Sequence, residues 1–190
     1  SSIDLSTNTA LEELEISNIS GLTSLDVSVN TLLNFLEVNN TSVSTLDISN
    51  NTVLTQLYAN NAVFTSINAK NGNNTNITDF EIQTNPNLAC VLVDDTAYAN
   101  TNFTNIDSGL AFTNVSCDVT NIPDDNFEAY LEANGMGNGV ANDNEVFTHN
   151  IADVTTLSIG SVNLTDLTGI EGFTSLESLS LRDNTTLASV

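Results

Sequence analysis

Leu22-Thr-Ser-Leu-Asp-Val-Ser-Val-Asn-Thr31 and Val43-Ser-Thr-Leu-Asp-Ile-Ser-Asn-Asn-Thr52 are one pattern written twice, 21 residues apart. Each places aliphatic residues first, fourth and sixth, an aspartate between the last two, and Asn-Thr at the end. Working outward, apolar-x-apolar pairs recur at Ile3/Leu5, Leu14/Ile16, Leu25/Val27, Leu36/Val38, Leu46/Ile48, Leu57/Ala59, Ile67/Ala69 and Phe80/Ile82. The steps between first members are 11, 11, 11, 10, 11, 10 and 13 residues. A further apolar residue stands three ahead of most pairs: Leu11, Leu22, Leu33, Val43, Leu54, Phe64 and Ile77. Each half-coil therefore reads L-x-x-L-x-L, and two make a coil of 21 or 22 residues. Alternation of this kind belongs to short strands with one buried face. Repetition at a fixed period belongs to stacked units that cannot bury their apolar side alone. The expected fold is a repeat solenoid, mainly β, with short parallel strands joined by irregular or 3-10 segments and one short helix in a cap.

Asparagine punctuates the coils. Asn8, Asn30 and Asn51 each lie three residues after the second apolar member, and Asn184 holds the same place near the end. An asparagine at a repeated bend turns its side-chain amide onto backbone groups that the bend leaves unpaired. These residues are expected to form a ladder. The next position in register is Gly72, so the ladder is expected to break there, with Asn71–Asn76 bulging as a loop.

The recurring segments resemble the secreted leucine-rich repeats of Bacteroidetes and marine flavobacteria. The resemblance covers residues 1–88 and resumes near 154, where Leu157 and Leu179 are 22 residues apart. Asp166-Leu-Thr-Gly-Ile-Glu171 resembles internalin-type repeats. It implies a first array at 1–88, a C-terminal cap at 89–118, a helical N-terminal cap at 119–153 and the start of a second array at 154–190. In the first cap, Phe103 stands where such units carry an aromatic residue. In the second, Pro123, Asp124, Asp125 and Glu128 form a helix-start signature, and Phe127, Tyr130 and Leu131 an apolar face. That helix is expected to stop near Gly135.

Cys90 and Cys117 are the only cysteines of the chain. They read either as two buried thiols or as a disulfide stapling the cap. The disulfide is the expectation, because a loop-rich cap has little core of its own, and it implies residence outside the reducing cytosol.

Composition narrows function. Among 190 residues there are 24 acidic and 2 basic side chains, Lys70 and Arg182, for a formal charge of -22. Phosphate binding needs clustered Lys and Arg, so nucleic acid and anionic membrane surfaces are excluded as partners. No apolar run reaches the roughly 20 residues that span a bilayer. Asn occurs 30 times and Thr 25 times, giving a polar surface without lysine. Such a chain suits high ionic strength, where carboxylate repulsion is screened. It is expected to be secreted or at a cell surface, and part of a longer chain, because both ends cut through repeats.

Two sets of outward strand positions are candidate ligand surfaces. Asp4, Asp26, Asp47 and Asn68 occupy one set of half-coils, and Glu15, Glu37, Tyr58 and Glu81 the other. The stricter asparagine ladder favours the aspartate set. Merely polar outward residues of half-buried strands are the plainer reading of both. No cofactor is required. Ca²⁺ is the one cation suggested, at Asp143 and Glu145 or at Asp94 and Asp95, with solvated loop acids as the alternative. Residues 134–145 carry Gly139 sixth and Glu145 twelfth, as in an EF-hand loop, but Asn134 stands first and Met136 third, a poor oxygen ligand. The single histidine, His149, has no nucleophile motif beside it, so no enzyme is expected.

The function these features suggest is recognition of an extracellular protein or glycan. A structural spacer within a larger secreted protein, such as a polysaccharide-degrading one, is the alternative. Ice or mineral-surface binding is a weaker one, since Thr45 aligns with Ser24 and Ser66 rather than with a threonine row.

Overall fold

The computed structural model describes residues 1–187, so the last three residues of the expected second array lie outside the described residues. The chain forms two compact units, Ser1–Val115 and Ser116–Val190.

The first unit holds eight strands of three residues each: β1 (Glu13–Glu15), β2 (Phe35–Glu37), β3 (Thr45–Asp47), β4 (Gln56–Tyr58), β5 (Ser66–Asn68), β6 (Asp79–Glu81), β7 (Cys90–Leu92) and β8 (Ala111–Thr113). They form two four-stranded sheets, ordered β1-β2-β4-β6 and β3-β5-β7-β8. Every pairing is parallel. The chain therefore crosses between the sheets at almost every half-coil. One sheet aligns Leu14, Leu36, Leu57 and Phe80, and the other Leu46, Ile67, Val91 and Phe112. This is a β-rich, repeat-like fold of short parallel strands with few helices.

The reason lies in the side chains. Leu36, Val38, Leu46, Ile48, Leu54, Leu57 and Phe64 are fully buried. Each such residue contributes about 1.5–3 kcal/mol relative to exposure. A three-residue strand is too short to persist alone, so the aliphatic stack between the sheets holds it.

Parallel pairing does not stop at residue 88. β7 and β8 extend the second sheet through residues expected to be a separate cap. Between them, Asn105 bridges Glu81 in parallel and so keeps the alternation. The period is hidden in the sequence because α1 (Thr96–Asn102) lengthens that coil, with Asp95 capping it by accepting the Tyr98 N–H. Phe103 is buried and stacks on Phe80 at 4.2 Å, with Phe112 edge-on at 5.9 Å. Cys90 and Cys117 are disulfide-bonded.

The asparagine ladder is present with two corrections. Asn30 Nδ2 donates to the Asn8 carbonyl at 2.7 Å, and Asn51 Nδ2 to the Asn30 carbonyl at 2.9 Å. Asn8 is itself exposed and joins only through its carbonyl. The ladder does not break at Gly72: the buried Asn71, one residue earlier, donates to the Asn51 carbonyl at 3.0 Å. Nor does 71–76 bulge freely. Asn73 and Asn74 donate to the Leu54 and Ala69 carbonyls, and Asn74–Asn76 form a 3-10 turn. On the other half-coils, buried Asn85 donates to the Ala59 and Ile82 carbonyls at 2.9 and 2.8 Å.

In the second unit, β9 (Val119–Asn121) and β10 (Glu145–Phe147) pair antiparallel. β11 (Thr156–Ser158) and β12 (Ser178–Ser180) pair parallel, with Leu157 opposite Leu179. α2 (Asp125–Ala133) is the expected helix, ended at Asn134 before Gly135, whose φ is 71°. α3 (Thr148–Ile151) is a single turn, so the chain has three α-helices among the described residues rather than one. The extra two were hidden by short, polar, Asn- and Thr-rich segments of low helix propensity. Asn184 Nδ2 donates to the Ile159 carbonyl at 2.8 Å, as the ladder predicts. Gly169 has φ 95°, and a Cβ there would lie 2.2 Å from Ile122 Cδ1.

Candidate functional site

The outward side chains of the two sheets differ in what occupies them. On the β3-β5-β7-β8 side, the aspartates serve their own turns. Asp4, Asp26 and Asp47 each accept the N–H of the serine two residues on, at 2.9–3.0 Å. Asn68 does the same for Lys70. Such Asx turns satisfy the backbone where the chain leaves the strand. The contact with Ser6 holds Asp4 below the usual carboxylate range, and the contact with Ser28 does so for Asp26. Asp26, Asp47, Thr45, Ser66 and Asn68 line a shallow depression of about 420 Å³.

The β1-β2-β4-β6 face carries two cross-strand rows. Glu15, Glu37, Tyr58 and Glu81 are register partners, so the second set predicted from sequence is brought into one line. Beside it run Glu13, Phe35, Gln56 and Asp79. Phe35, Gln56 and Asp79 were missed because only the position between each apolar pair was read as outward. The residue before the first apolar member alternates the same way, and that signal was in the sequence. The Phe35 and Tyr58 rings lie 5.6 Å apart at 41°. Both are half-buried.

Amides and hydroxyls tie the carboxylates down. Glu37 Oε1 accepts from Ser17 Oγ at 2.6 Å and Asn39 Nδ2 at 3.0 Å. Glu81 accepts from Asn60 and Asn105, each at 3.3 Å. Asp79 Oδ2 accepts from Gln56 Nε2 at 2.8 Å and Thr78 Oγ1 at 2.9 Å. These last two bonds hold Asp79 below the usual carboxylate range. Tyr58 moves the other way: burial, then the charges of Asp79, Glu81 and Glu37, raise its phenol. The face is therefore a pair of rings set among fixed negative charges.

The two cation candidate pairs differ: Asp94 and Asp95 diverge, whereas Asp143 and Glu145 lie close enough for one charge to raise the other. Asp94 accepts the Gly72 N–H and Asp95 caps α1, so the neighbours in sequence work on different backbone segments. In the 134–145 loop, Asp143 accepts from the Asn138 amide and the Glu145 N–H. Glu128 accepts the Asp143 and Asn144 N–H groups, and Glu132 those of Asn138 and Gly139. N–H donors thus engage Asp143, Glu128 and Glu132, and partly buried Met136 packs against the core. Burial and the Asp143 charge raise Glu145. Among the described residues no group of three or more His, Cys, Asp or Glu is placed to hold a metal ion. His149 stacks on Phe147 at 5.2 Å, and its buried Nδ1 has no hydrogen-bond partner among the described residues. Among the described residues no helix is long and apolar enough to cross a membrane.

No family model, curated protein or solved structure matches this chain.

Proposed function

We propose that this protein is a non-catalytic recognition module of the leucine-rich-repeat solenoid type, secreted or displayed at a cell surface. It engages an extracellular protein or glycan through the outward face of the β1-β2-β4-β6 sheet. The observation that carries this reading is the Phe35–Tyr58 ring pair standing in register with Glu37, Asp79 and Glu81. Half-buried rings on a rigid sheet surface offer contact area at low entropic cost, and aromatic anchors dominate recognition surfaces. The aspartates of the other sheet are engaged in turns, which supports a structural role for them. The repeat reading is supported by register steps of 21–24 residues along both sheets and by the ladder. The disulfide supports a location outside the reducing cytosol.

The test is a binding screen of the full chain against immobilised glycans and extracellular-matrix proteins, repeated with Phe35→Ala/Tyr58→Ala. Loss of the same hits in that variant supports the surface. Hits that survive it, but vanish with Asp26→Asn/Asp47→Asn, move the site to the other sheet. A chain with no hits favours the spacer.

A further inference from the structure

The hydrogen-bond polarity of this face narrows its partner. Its amides are turned toward its own carboxylates: Gln56, Asn39, Asn60 and Asn105 each donate one side-chain N–H to Asp79, Glu37 or Glu81. The Asn39 and Asn60 oxygens accept the backbone N–H of Asn60 and Gln83 on the next strand out. What remains toward solvent is weighted to charged acceptors: the second oxygens of Glu37 and Asp79 and the carboxylates of Glu13 and Glu15, against the second amide N–H of Asn39, Asn60 and Asn105 and the Tyr58 hydroxyl. A sugar hydroxyl both donates and accepts, so this excess of anionic acceptors suits a donor-only partner better than a glycan. Lysine and arginine donate only, with three and five N–H groups. They also rest on ring faces, which Phe35 and Tyr58 supply. Neither basic residue of the chain is on these strands, and Lys70 Nζ is held by the Asn114 carbonyl at 2.8 Å.

We infer that the β1-β2-β4-β6 face docks a cationic polypeptide segment, its Lys or Arg side chains seated on the Phe35–Tyr58 pair and bonded to the open oxygens of Glu37 and Asp79. This rests on the recognition reading above and names its partner class. The complement is one of charge: a formal -22 draws cationic chains toward the molecule, and the ring pair fixes where they stop.

The experiment uses the full chain and fluorescein-labelled octalysine and octaarginine, read by anisotropy at physiological salt, with cellohexaose as the neutral comparator. Urea midpoints establish that each variant is folded. Tyr58→Ala, and separately Glu37→Gln/Asp79→Asn, are expected to weaken oligocation binding about tenfold. Asp26→Asn/Asp47→Asn removes the same two charges from the other sheet and is expected to change it less than about twofold. Octalysine is further expected to lower the Tyr58 phenol pKa, read by ultraviolet absorbance. Equal weakening by both double variants means diffuse attraction to a polyanion and overturns the inference. Cellohexaose binding that depends on Tyr58, without oligocation binding, overturns the cationic partner and leaves the recognition face standing. Indifference of both probes to Tyr58→Ala overturns both.

Discussion

The two sheets of the first unit share strand length, parallel pairing within each sheet and one core, yet their carboxylates do different work. On the β3-β5-β7-β8 side, Asp4, Asp26 and Asp47 reach along their own chain and close turns. On the β1-β2-β4-β6 side, Asp79 and Glu81 accept from amides on neighbouring coils, and Glu37 from Asn39 and from Ser17 of the preceding coil. The difference follows from which donor each carboxylate meets. On one side Ser6, Ser28 and Ser49 offer a backbone N–H two residues ahead. On the other, side chains reach across from neighbouring coils, Gln56 to Asp79, Ser17 to Glu37 and Asn60 to Glu81. An acidic outward residue is thus a turn device on one face and part of a cross-strand surface on the other.

The comparison extends to a third setting. Asp124 caps α2 by accepting the Asn126 and Phe127 N–H groups, as the exposed aspartates do in their turns. It is buried, and its other oxygen accepts the Thr165 N–H, the Thr165 hydroxyl and the Asp166 N–H. Burial works against its charge, but these bonds outweigh it and hold its pKa below the usual range. Asp124→Ala carries the largest expected effect, a loss of about 3 kcal/mol read from urea unfolding of the second unit. A loss no larger than that of Asp26→Ala would erase the distinction between buried and exposed turn aspartates.

Asn51→Ala comes next, because it attacks what both faces share. The carbonyls of Val27 and Asn30 would each lose one of two donors, keeping the Asn30 and Leu33 N–H groups, at a cost of about 2 kcal/mol for the two bonds. The urea midpoint is expected to fall, with binding reduced only as the folded fraction falls.

Acid titration sharpens the same contrast. A carboxyl with a depressed folded pKa contributes stability that is complete above its unfolded value and is lost as pH falls through the folded one. For Asp124 the contribution is intact at neutral pH and disappears below about pH 4. Glu145 has the opposite sign: its raised pKa means that protonation as pH falls favours the folded state. Wild type is expected to lose more stability than Asp124→Ala between pH 5 and 3, measured by thermal melts. Parallel curves would remove Asp124 from the account.

The smallest effects are expected at the exposed turns and the cation candidates. Asp26→Asn and Asp47→Asn should leave the urea midpoint within experimental error. Chelator should leave melting unchanged, because Asp94, Asp95 and Asp143 already accept backbone or amide N–H groups. A chelator-dependent drop in melting temperature would show that Ca²⁺ binds.

The residue pattern alone placed most of the strands, the period and much of the ladder, although Ile3/Leu5 and Leu25/Val27 form no strand, only a Ser2–Ser24 bridge beside them. Leu-x-x-Leu-x-Leu at regular steps leaves few ways to bury so many aliphatic side chains, and Asn30, Asn51 and Asn184 mark bends whose backbone groups need a donor. It also lined up Glu15, Glu37, Tyr58 and Glu81, because a constant coil length makes sequence register into spatial register. Tertiary structure decided the rest. It moved the ladder to Asn71, carried the second sheet through Cys90 and Phe112, and showed which oxygens remain open on each face. Those outcomes depend on which donor a side chain meets on the next coil. Insertions such as 71–76 and α1 change that partner without changing the pattern of apolar residues.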